Sequence, residues 1–391
     1  MTSVPAPVAD QPGPTAAATP NATQLRFDHY GFLATEYTPA AHPQDGRDDD
    51  SDTFSVFLSP GFSKKLHSEE FRVRKWTEYL NRKAPKAVRT SKTARKLVTY
   101  GIPTQLRTRV WRFFAEESLI RTPGAFQELQ TRDRIPIYDV IERDIPRCYP
   151  DHQMFLEEGS AGQQHLDTVL KAYAHYNPEV GYCQGMGRLV GVYLMQHMSP
   201  EDSFWLLAAT IRSYLPTYYV PTLTQVRIDS AVFDRLLFEH NRKLADHLAT
   251  HDITPLMYAT SWFMTLFTMA LPWASVLRVW DWFYLKGTKI LFRIGLAILD
   301  CAADHLLAHC PTSSEILPFL LHIPHDLLAP EPLFAAANRV HITTGHLEKL
   351  THQVTAHGIP DRGEIELGSV RSAKEKGRRA RFRPLRKVFH S

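Results

Sequence analysis

The chain lacks the sequence motifs that mark a self-contained catalytic site. It has no Walker A loop, no HExxH or GxSxG motif, no Rossmann glycine fingerprint and no EF-hand spacing. Its 19 histidines are scattered without the spacing that metal ligands need. These absences argue against a nucleotide-binding or metal-dependent enzyme, and we expect the chain to bind no cofactor by itself.

Cysteine is scarce, with four residues among 391 and no CxxC pair. The first residues also lack the charged and apolar regions of a secretory signal. We therefore expect neither a zinc site nor a disulfide framework. A reducing, cytoplasmic location follows as the expectation, with peripheral attachment to an endomembrane or the plasma membrane as a further option.

Long hydrophobic runs are almost absent, and the longest uncharged stretch is interrupted by proline. Residues 253–277 carry no charge, but Pro255 and Pro272 leave sixteen residues between them, whereas a membrane span needs about 20 apolar residues. This stretch is typical of a buried helix followed by a turn that proline marks.

Positive charge is concentrated at one end of the chain. Between Arg371 and Lys387 there are nine Lys or Arg residues and one acid, a surplus of +8 against +4 for the whole chain. The remainder carries −4, so the basic pI does not indicate a nucleic-acid-binding core, and we expect no nucleic-acid partner. This basic tail fits binding to an anionic membrane surface or nuclear import, and a solvated segment without function fits equally well.

Composition divides the chain into four stretches. Residues 1–24 are rich in proline and alanine and are expected to be disordered. Residues 25–67 hold a short aromatic segment and an acidic linker, residues 68–340 have the texture of one helical domain, and residues 341–391 form an extension that ends in the basic tail. No segment alternates with period two, so the sequence predicts an all-α fold.

Apolar residues recur at helical spacing throughout the third stretch. Leu166, Val169, Leu170 and Tyr173, for example, lie on one face of a helix that Pro178 ends. The same spacing predicts further helices over residues 69–80, 201–213, 229–248, 261–271, 273–284 and 289–307.

An arginine between two prolines is the first candidate for function. Arg147 lies between Pro146 and Pro150, where an apolar helix ends. The restricted backbone of proline would hold its guanidinium at a fixed place, and Asp144, three residues earlier, is placed to orient it. An ordinary surface arginine after a helix fits the same spacing and is the more common case.

The second candidate is a glutamine between two glycines. Gln184 lies between Gly181 and Gly185 at the start of an apolar helix, where its amide could meet a partner or a water. A helix N-terminal glutamine that satisfies backbone donors is also common. A third stretch, residues 262–283, is aromatic and predicted to be core, except for Asp281, which is expected to pair with a buried arginine or cap a backbone amide.

Four motifs in this chain resemble, in order, those of the TBC family, whose members activate Rab-type small GTPases. They are GIPxxLRxxVW from Gly101, IxxDxxR with Ile141, Asp144 and Arg147, YxQGM with Tyr182, Gln184, Gly185 and Met186, and VLRVWDxFxxxG from Val276 to Gly287. The resemblance runs from about Gly101 to Ala308. The stretches around Tyr30 and Trp76 look like the branch of the family related to RN-tre.

The resemblance implies a GTPase-activating protein that acts on a GTP-bound Rab and regulates vesicle trafficking. Members supply two residues in trans, so Arg147 would be an arginine finger for the transferring phosphoryl group and Gln184 would position the attacking water. Asp144 would orient Arg147, while Tyr182 and Gly185 would shape the loop that presents Gln184. The partner would hold GTP and Mg²⁺, so the chain would have no complete active site of its own.

Three positions depart from the family's pattern, namely Thr108, Cys148 and Gly187. None of them removes a finger, but they bear on fine geometry and rate.

Two other functions remain open on the sequence alone. One is a catalytically silent helical scaffold that binds a Rab, and the other is a membrane-tethered adaptor that works through its basic tail.

Overall fold

The computed structural model describes residues 25–34, 68–82 and 91–356, and this part of the chain is built from α-helices. In chain order they are α1 (Glu69–Arg82), α2 (Lys92–Thr99), α3 (Thr104–Phe114), α4 (Ala125–Gln130), α5 (Tyr138–Cys148), α6 (Ala161–Tyr176), α7 (Met186–Met195), α8 (Pro200–Ser213), α9 (Thr224–His240), α10 (Arg242–Thr250), α11 (Pro255–Met264), α12 (Trp273–Lys286), α13 (Lys289–His309), α14 (Ser313–Leu321), α15 (Pro330–Arg339) and α16 (Thr344–Ala356). Within these ranges the only β pairing is two isolated bridges. The all-α prediction is confirmed, while residues 1–24, most of the linker and the basic tail lie outside the described ranges.

Helix α7 lies at the centre of the fold because it is apolar on almost every side. Nine of its ten residues are buried, which is the pattern of a helix surrounded by others. Beside it, the hydroxyl of Tyr193 lies 2.9 Å from that of Tyr284 and 3.1 Å from that of Thr210. These hydroxyls satisfy one another, as buried polar groups must.

Side-chain caps mark where several of the helices begin. Helix α8 begins after Ser199, whose side chain accepts a hydrogen bond from the backbone N–H of Asp202, and Pro200 occupies its first position. Helix α6 begins after Ser160, whose side chain accepts a hydrogen bond from the backbone N–H of Gln163, and it ends at Tyr176, before Asn177. The predictions for these two helices are confirmed.

Two predicted helices differ from the structure. The single helix predicted over residues 229–248 is two helices, α9 and α10, because the side chain of Asn241 caps a new helix by accepting from the N–H of Leu244. The helix predicted over residues 261–271 instead starts at Pro255 and ends at Met264. A uniformly apolar run has no polar face to mark where a helix stops, so the turn after Met264 left no signal. Among the described residues, no helix has both the length and the hydropathy to cross a membrane.

Segments at both ends of the described chain pack onto the helical body. The ring of Phe32 lies 4.8 Å from that of His152 and 5.2 Å from that of Trp273, measured between centroids. At the other end, α16 follows the boundary predicted at residue 340 and packs against α9, with Leu350 and Val354 buried. The helical body therefore includes residues beyond 340.

Candidate functional site

The arginine segment forms the last turn of α5. Ile141, Ile145 and Cys148 are buried along one face of this helix. The two residues between Ile145 and Cys148, Pro146 and Arg147, are exposed. Pro146 lies inside the final turn and removes one backbone donor, which helps to end the helix at this point. Across residues 25–34, 68–82 and 91–356, the Arg147 guanidinium has no hydrogen-bond or ion-pair partner.

The glutamine segment is a turn that leads into α7. Gly185 has a φ of 102° and lies immediately before the helix, a conformation that favours glycine. Gln184 precedes it in the turn and is exposed. No hydrogen bond joins the Gln184 amide to any other described residue. Both sequence candidates therefore present their functional groups to solvent.

Three contacts hold the two segments together. The hydroxyl of Tyr182 donates a hydrogen bond to the carboxylate of Asp144. The guanidinium of Arg188 donates from Nη2 to the backbone oxygen of Arg147 over 3.3 Å, and the hydroxyl of Tyr149 donates to the backbone oxygen of Arg188 over 2.9 Å. The end of α5 and the start of α7 are thus joined at three points.

Asp144 faces the glutamine segment in this structure. Its carboxylate contacts Tyr182 and, within the described residues, makes no ion pair with Arg147. Burial and the neighbouring carboxylate raise the pKa of Tyr182 well above its usual range, so this phenol remains a donor at neutral pH. The predicted orientation of Arg147 by Asp144 stays a prediction, while the contact of Asp144 with Tyr182 is observed.

A strained turn after α11 packs against Gly185. A Cβ on Gly185 would lie 3.4 Å from Cγ2 of Thr265. The next two residues, Leu266 and Phe267, have φ values of 48° and 65°, which is unusual for bulky side chains. The indole N–H of Trp280 donates to the backbone oxygen of Leu266 over 3.0 Å. Buried packing thus holds a costly backbone conformation next to the glutamine segment.

A buried ion pair joins α3 to α12. Asp281 is 2% exposed. Its Oδ1 accepts hydrogen bonds from Nε of Arg107 over 3.2 Å and from Nε1 of Trp111 over 2.8 Å. Burial raises the pKa of Asp281, and Arg107 opposes that rise. The prediction that Asp281 pairs with a buried arginine is confirmed.

Cys183, next to Gln184, is held as a neutral thiol. Burial raises its pKa, and the nearby carboxylate of Asp144 raises it further. Because the thiolate is the reactive form, these effects suppress its reactivity. In the described part of the chain no cluster of three His, Cys, Asp or Glu side chains is arranged to hold a metal ion. The expectation that the chain binds no cofactor stays a prediction.

Sequence reasoning missed Arg188 and Tyr149, which join the two segments. Their contacts connect residues 39 and 41 positions apart, so no local pattern predicts them. The only available signal was an arginine in an otherwise apolar helix, four residues after Gln184.

Comparison with known proteins gives a consistent result. Residues 104–307, just over half of the chain, match the family model described as Rab-GTPase-TBC domain. The chain is 36% identical to TBC1 domain family member 10A of Mus musculus over 305 residues, covering 76% of this chain and 61% of that relative. It is 38% identical to Carabin of Mus musculus over 254 residues, covering 64% of this chain and 57% of that relative. The chain thus spans less than two thirds of these relatives' own length.

Solved structures share the fold. The flagellar RabGAP TBC domain of Chlamydomonas aligns with a TM-score of 0.59 and 27% identity, covering 68% of this chain and 91% of that one. The Ypt/Rab-GAP domain of Gyp1p aligns with a TM-score of 0.51 and 16% identity, covering 73% of this chain and 98% of that one, and it is similar in fold alone.

Proposed function

Because the chain belongs to the Rab-GTPase-TBC domain family, we propose that it accelerates GTP hydrolysis by a Rab-type small GTPase and so regulates vesicle trafficking. One observation carries this proposal. Arg147 and Gln184 are both exposed and without partners among the described residues, and they extend from two segments that Tyr182 and Asp144 tie together. Two free side chains on a rigid base suit a site completed by a second protein.

Arg147 is the proposed arginine finger. Charge spreads over the equatorial oxygens of the phosphoryl group as it transfers, and a guanidinium supplied in trans is worth about 10³–10⁵ in rate. The planar fork of arginine matches phosphate oxygens in geometry as well as charge. Its place at the end of α5, beside Pro146, limits how far the backbone beneath it can move.

Gln184 is the proposed water-positioning residue. Its amide has a donor and an acceptor, which are the groups needed to hold a water in line with the scissile bond. Small GTPases use a glutamine of their own for this task, and we propose that Gln184 replaces it. Tyr182 and Gly185 hold the loop that presents Gln184, and Asp144 anchors Tyr182.

The partner is proposed to be the GTP-bound form of the Rab, which carries the nucleotide and Mg²⁺. Only that form presents the γ-phosphate against which Arg147 and Gln184 would act. Such a division of labour accounts for the absence of a phosphate-binding loop from this sequence. No cofactor is needed on this side of the complex.

The stretches around Tyr30 and Trp76 support placement in the branch of the family related to RN-tre. A separate proposal gives the basic tail a membrane role. Nine cations between Arg371 and Lys387 would each contribute about 1 kcal/mol near an anionic surface, placing a cytoplasmic protein at the periphery of an endomembrane or the plasma membrane. Sedimentation with liposomes, with and without phosphatidylserine, tests this on the full chain and on one truncated after Val370. Equal binding by both chains would refute it.

The catalytic proposal is tested by single-turnover GTP hydrolysis across a panel of purified Rab proteins. The wild-type chain should accelerate one or a few of them, and Arg147→Ala and Gln184→Ala should abolish that effect without lowering the melting temperature. Arg143→Ala is the matched control, because Arg143 is exposed on the same helix. GTP-dependent binding without acceleration would instead indicate a Rab-binding scaffold, and function lost only with the tail would indicate an adaptor.

A further inference from the structure

Arg188 is the exception in helix α7. All nine other residues of this helix are buried, whereas Arg188 is half-buried. It lies in the first turn, where the helix dipole is positive and a cation is disfavoured. No carboxylate pairs with it among the described residues. The contacts that offset this position are made with neutral groups.

The compensating contacts are made with the arginine segment. The guanidinium carbon of Arg188 lies 4.7 Å from the centroid of the Tyr149 ring, within range of a cation–π interaction. Its Nη2 donates to the backbone oxygen of Arg147 over 3.3 Å. In return, the hydroxyl of Tyr149 donates to the backbone oxygen of Arg188 over 2.9 Å. Arg188 and Tyr149 therefore make two contacts with each other, one between the side chains and one from the Tyr149 hydroxyl to the Arg188 backbone.

These contacts act on the end of α5. The last carbonyls of a helix have no partner within the helix and lie at its negative end. Arg188 supplies both a donor and a positive charge to one of them, the carbonyl of Arg147. The backbone of Arg147 is thereby fixed relative to α7, and so relative to Gln184, four residues before Arg188 in the sequence.

We propose that Arg188 is a positioning residue that sets the spacing of Arg147 and Gln184 for the transition state of GTP hydrolysis. This inference rests on the proposed function. The two side chains must act on the same phosphoryl group at once, and a misplacement of 1 Å can cost about 10²-fold in rate. We expect lysine to replace Arg188 poorly, because it lacks the planar guanidinium that stacks on Tyr149 while one edge donates to a carbonyl.

The test compares Arg188→Lys and Arg188→Met with wild type. Arg143→Lys and Arg143→Met are matched controls, because Arg143 donates to the backbone oxygen of Asp139 within its own helix. Single-turnover hydrolysis over a range of activator concentrations separates the maximal rate from the half-saturating concentration. We expect both Arg188 variants to lower the maximal rate by roughly 10- to 100-fold, with the half-saturating concentration unchanged and the Arg143 variants equal to wild type.

A second readout separates positioning from a structural role. Binding is measured to the Rab loaded with GDP and aluminium fluoride, which mimics the transition state, and to the Rab loaded with a non-hydrolysable GTP analogue. A positioning residue should weaken only the former, by the same factor as the rate. If Arg188→Met does not fold, Tyr149→Phe removes the reciprocal hydrogen bond and keeps the ring.

Three results would overturn the proposal. The first is an unchanged maximal rate in the Arg188 variants, and the second is an equal loss of their affinity for both nucleotide states of the Rab. The third is a loss of rate that comes with a large fall in melting temperature in both Arg188→Lys and Tyr149→Phe. A wild-type chain that accelerates no Rab would overturn the proposed function itself, and this inference with it. An active wild type with equally active Arg188 variants would overturn this inference alone.

Discussion

The Sγ atom of Cys148 occupies the space above Gly187, only 2.5 Å from where a Cβ on that glycine would lie. The thiol also donates to the backbone oxygen of Asp144 over 3.3 Å. Burial raises the pKa of Cys148 to about 12, so it is a neutral, space-filling group. Two of the positions that depart from the family's pattern are therefore neighbours in the structure.

Gly187→Ala should lower the free energy of unfolding by about 1–3 kcal/mol, because the added methyl would overlap the Cys148 sulfur. Combining it with Cys148→Ala, which removes that sulfur, should recover most of this cost. Urea unfolding of both single variants and the double variant measures the coupling. If the losses in unfolding free energy of the two single variants simply add in the double variant, the added methyl and the Cys148 sulfur do not compete for the same space.

Gly185→Ala should reduce the rate of GTP hydrolysis and cost about 1–3 kcal/mol of stability, because alanine is strained at a φ of 102°. The matched control is Gly345→Ala, where a Cβ meets nothing within 4 Å in α16. That control should be neutral or slightly stabilising. Single-turnover kinetics and thermal unfolding of the two variants give the comparison, and equal behaviour would contradict the role given to Gly185.

Asp281→Ala should destabilise the fold by about 3–5 kcal/mol, because it leaves the Arg107 charge buried and unpaired. Asp246→Ala, which breaks an exposed pair with Arg242, is the control and should change stability little. Denaturant unfolding measures both. A small effect at Asp281 would mean that water reaches Arg107.

Stability should fall as pH rises through the range in which Asp229 ionises. Burial raises the pKa of this carboxyl to about 6, opposed by hydrogen bonds from Tyr218 and Gln225. The folded state therefore binds the proton more tightly than the unfolded state, whose pKa is the ordinary one. Between pH 5 and 7.5, this group should remove about 1 kcal/mol of stability, with little further change above that.

Asp229→Asn isolates this effect, because it removes the titrating group and leaves the other buried carboxyls in place. The unfolding free energy of wild type minus that of the variant should fall by about 1 kcal/mol from pH 5 to 7.5, because only wild type loses stability as this group ionises. Denaturant titrations at several pH values measure it. A difference that is independent of pH would contradict the raised pKa of Asp229.

Local spacing predicts most of the longer helices, but not the break at Asn241 or the end of α11 at Met264. It also singles out Arg147 and Gln184, whose roles are implied only by the resemblance to the family's motifs. Pro146 and Gly185 act on their own backbone, so the end of α5 and the turn before α7 were visible in the sequence. Asp281 was predicted to meet a buried arginine, but which arginine depended on a contact across 174 positions.

The rest of the site depends on contacts that no local pattern contains. The turn at Leu266 and Phe267 adopts a backbone that these residues avoid alone, and it persists because Trp280 donates to it from another helix. The contact of Arg188 with the arginine segment likewise forms only after α5 and α7 have packed. Such tertiary contacts override the preferences that a sequence displays.

The most direct test of the two-finger account removes the glutamine of the GTPase. Single-turnover hydrolysis is measured for the responsive Rab and for its variant with that glutamine changed to alanine, each with the wild-type chain and with Gln184→Ala. If Gln184 positions the attacking water, the wild-type chain still accelerates the Rab variant and Gln184→Ala accelerates neither form. Loss of acceleration on the Rab variant, together with full activity of Gln184→Ala on the normal Rab, would contradict it.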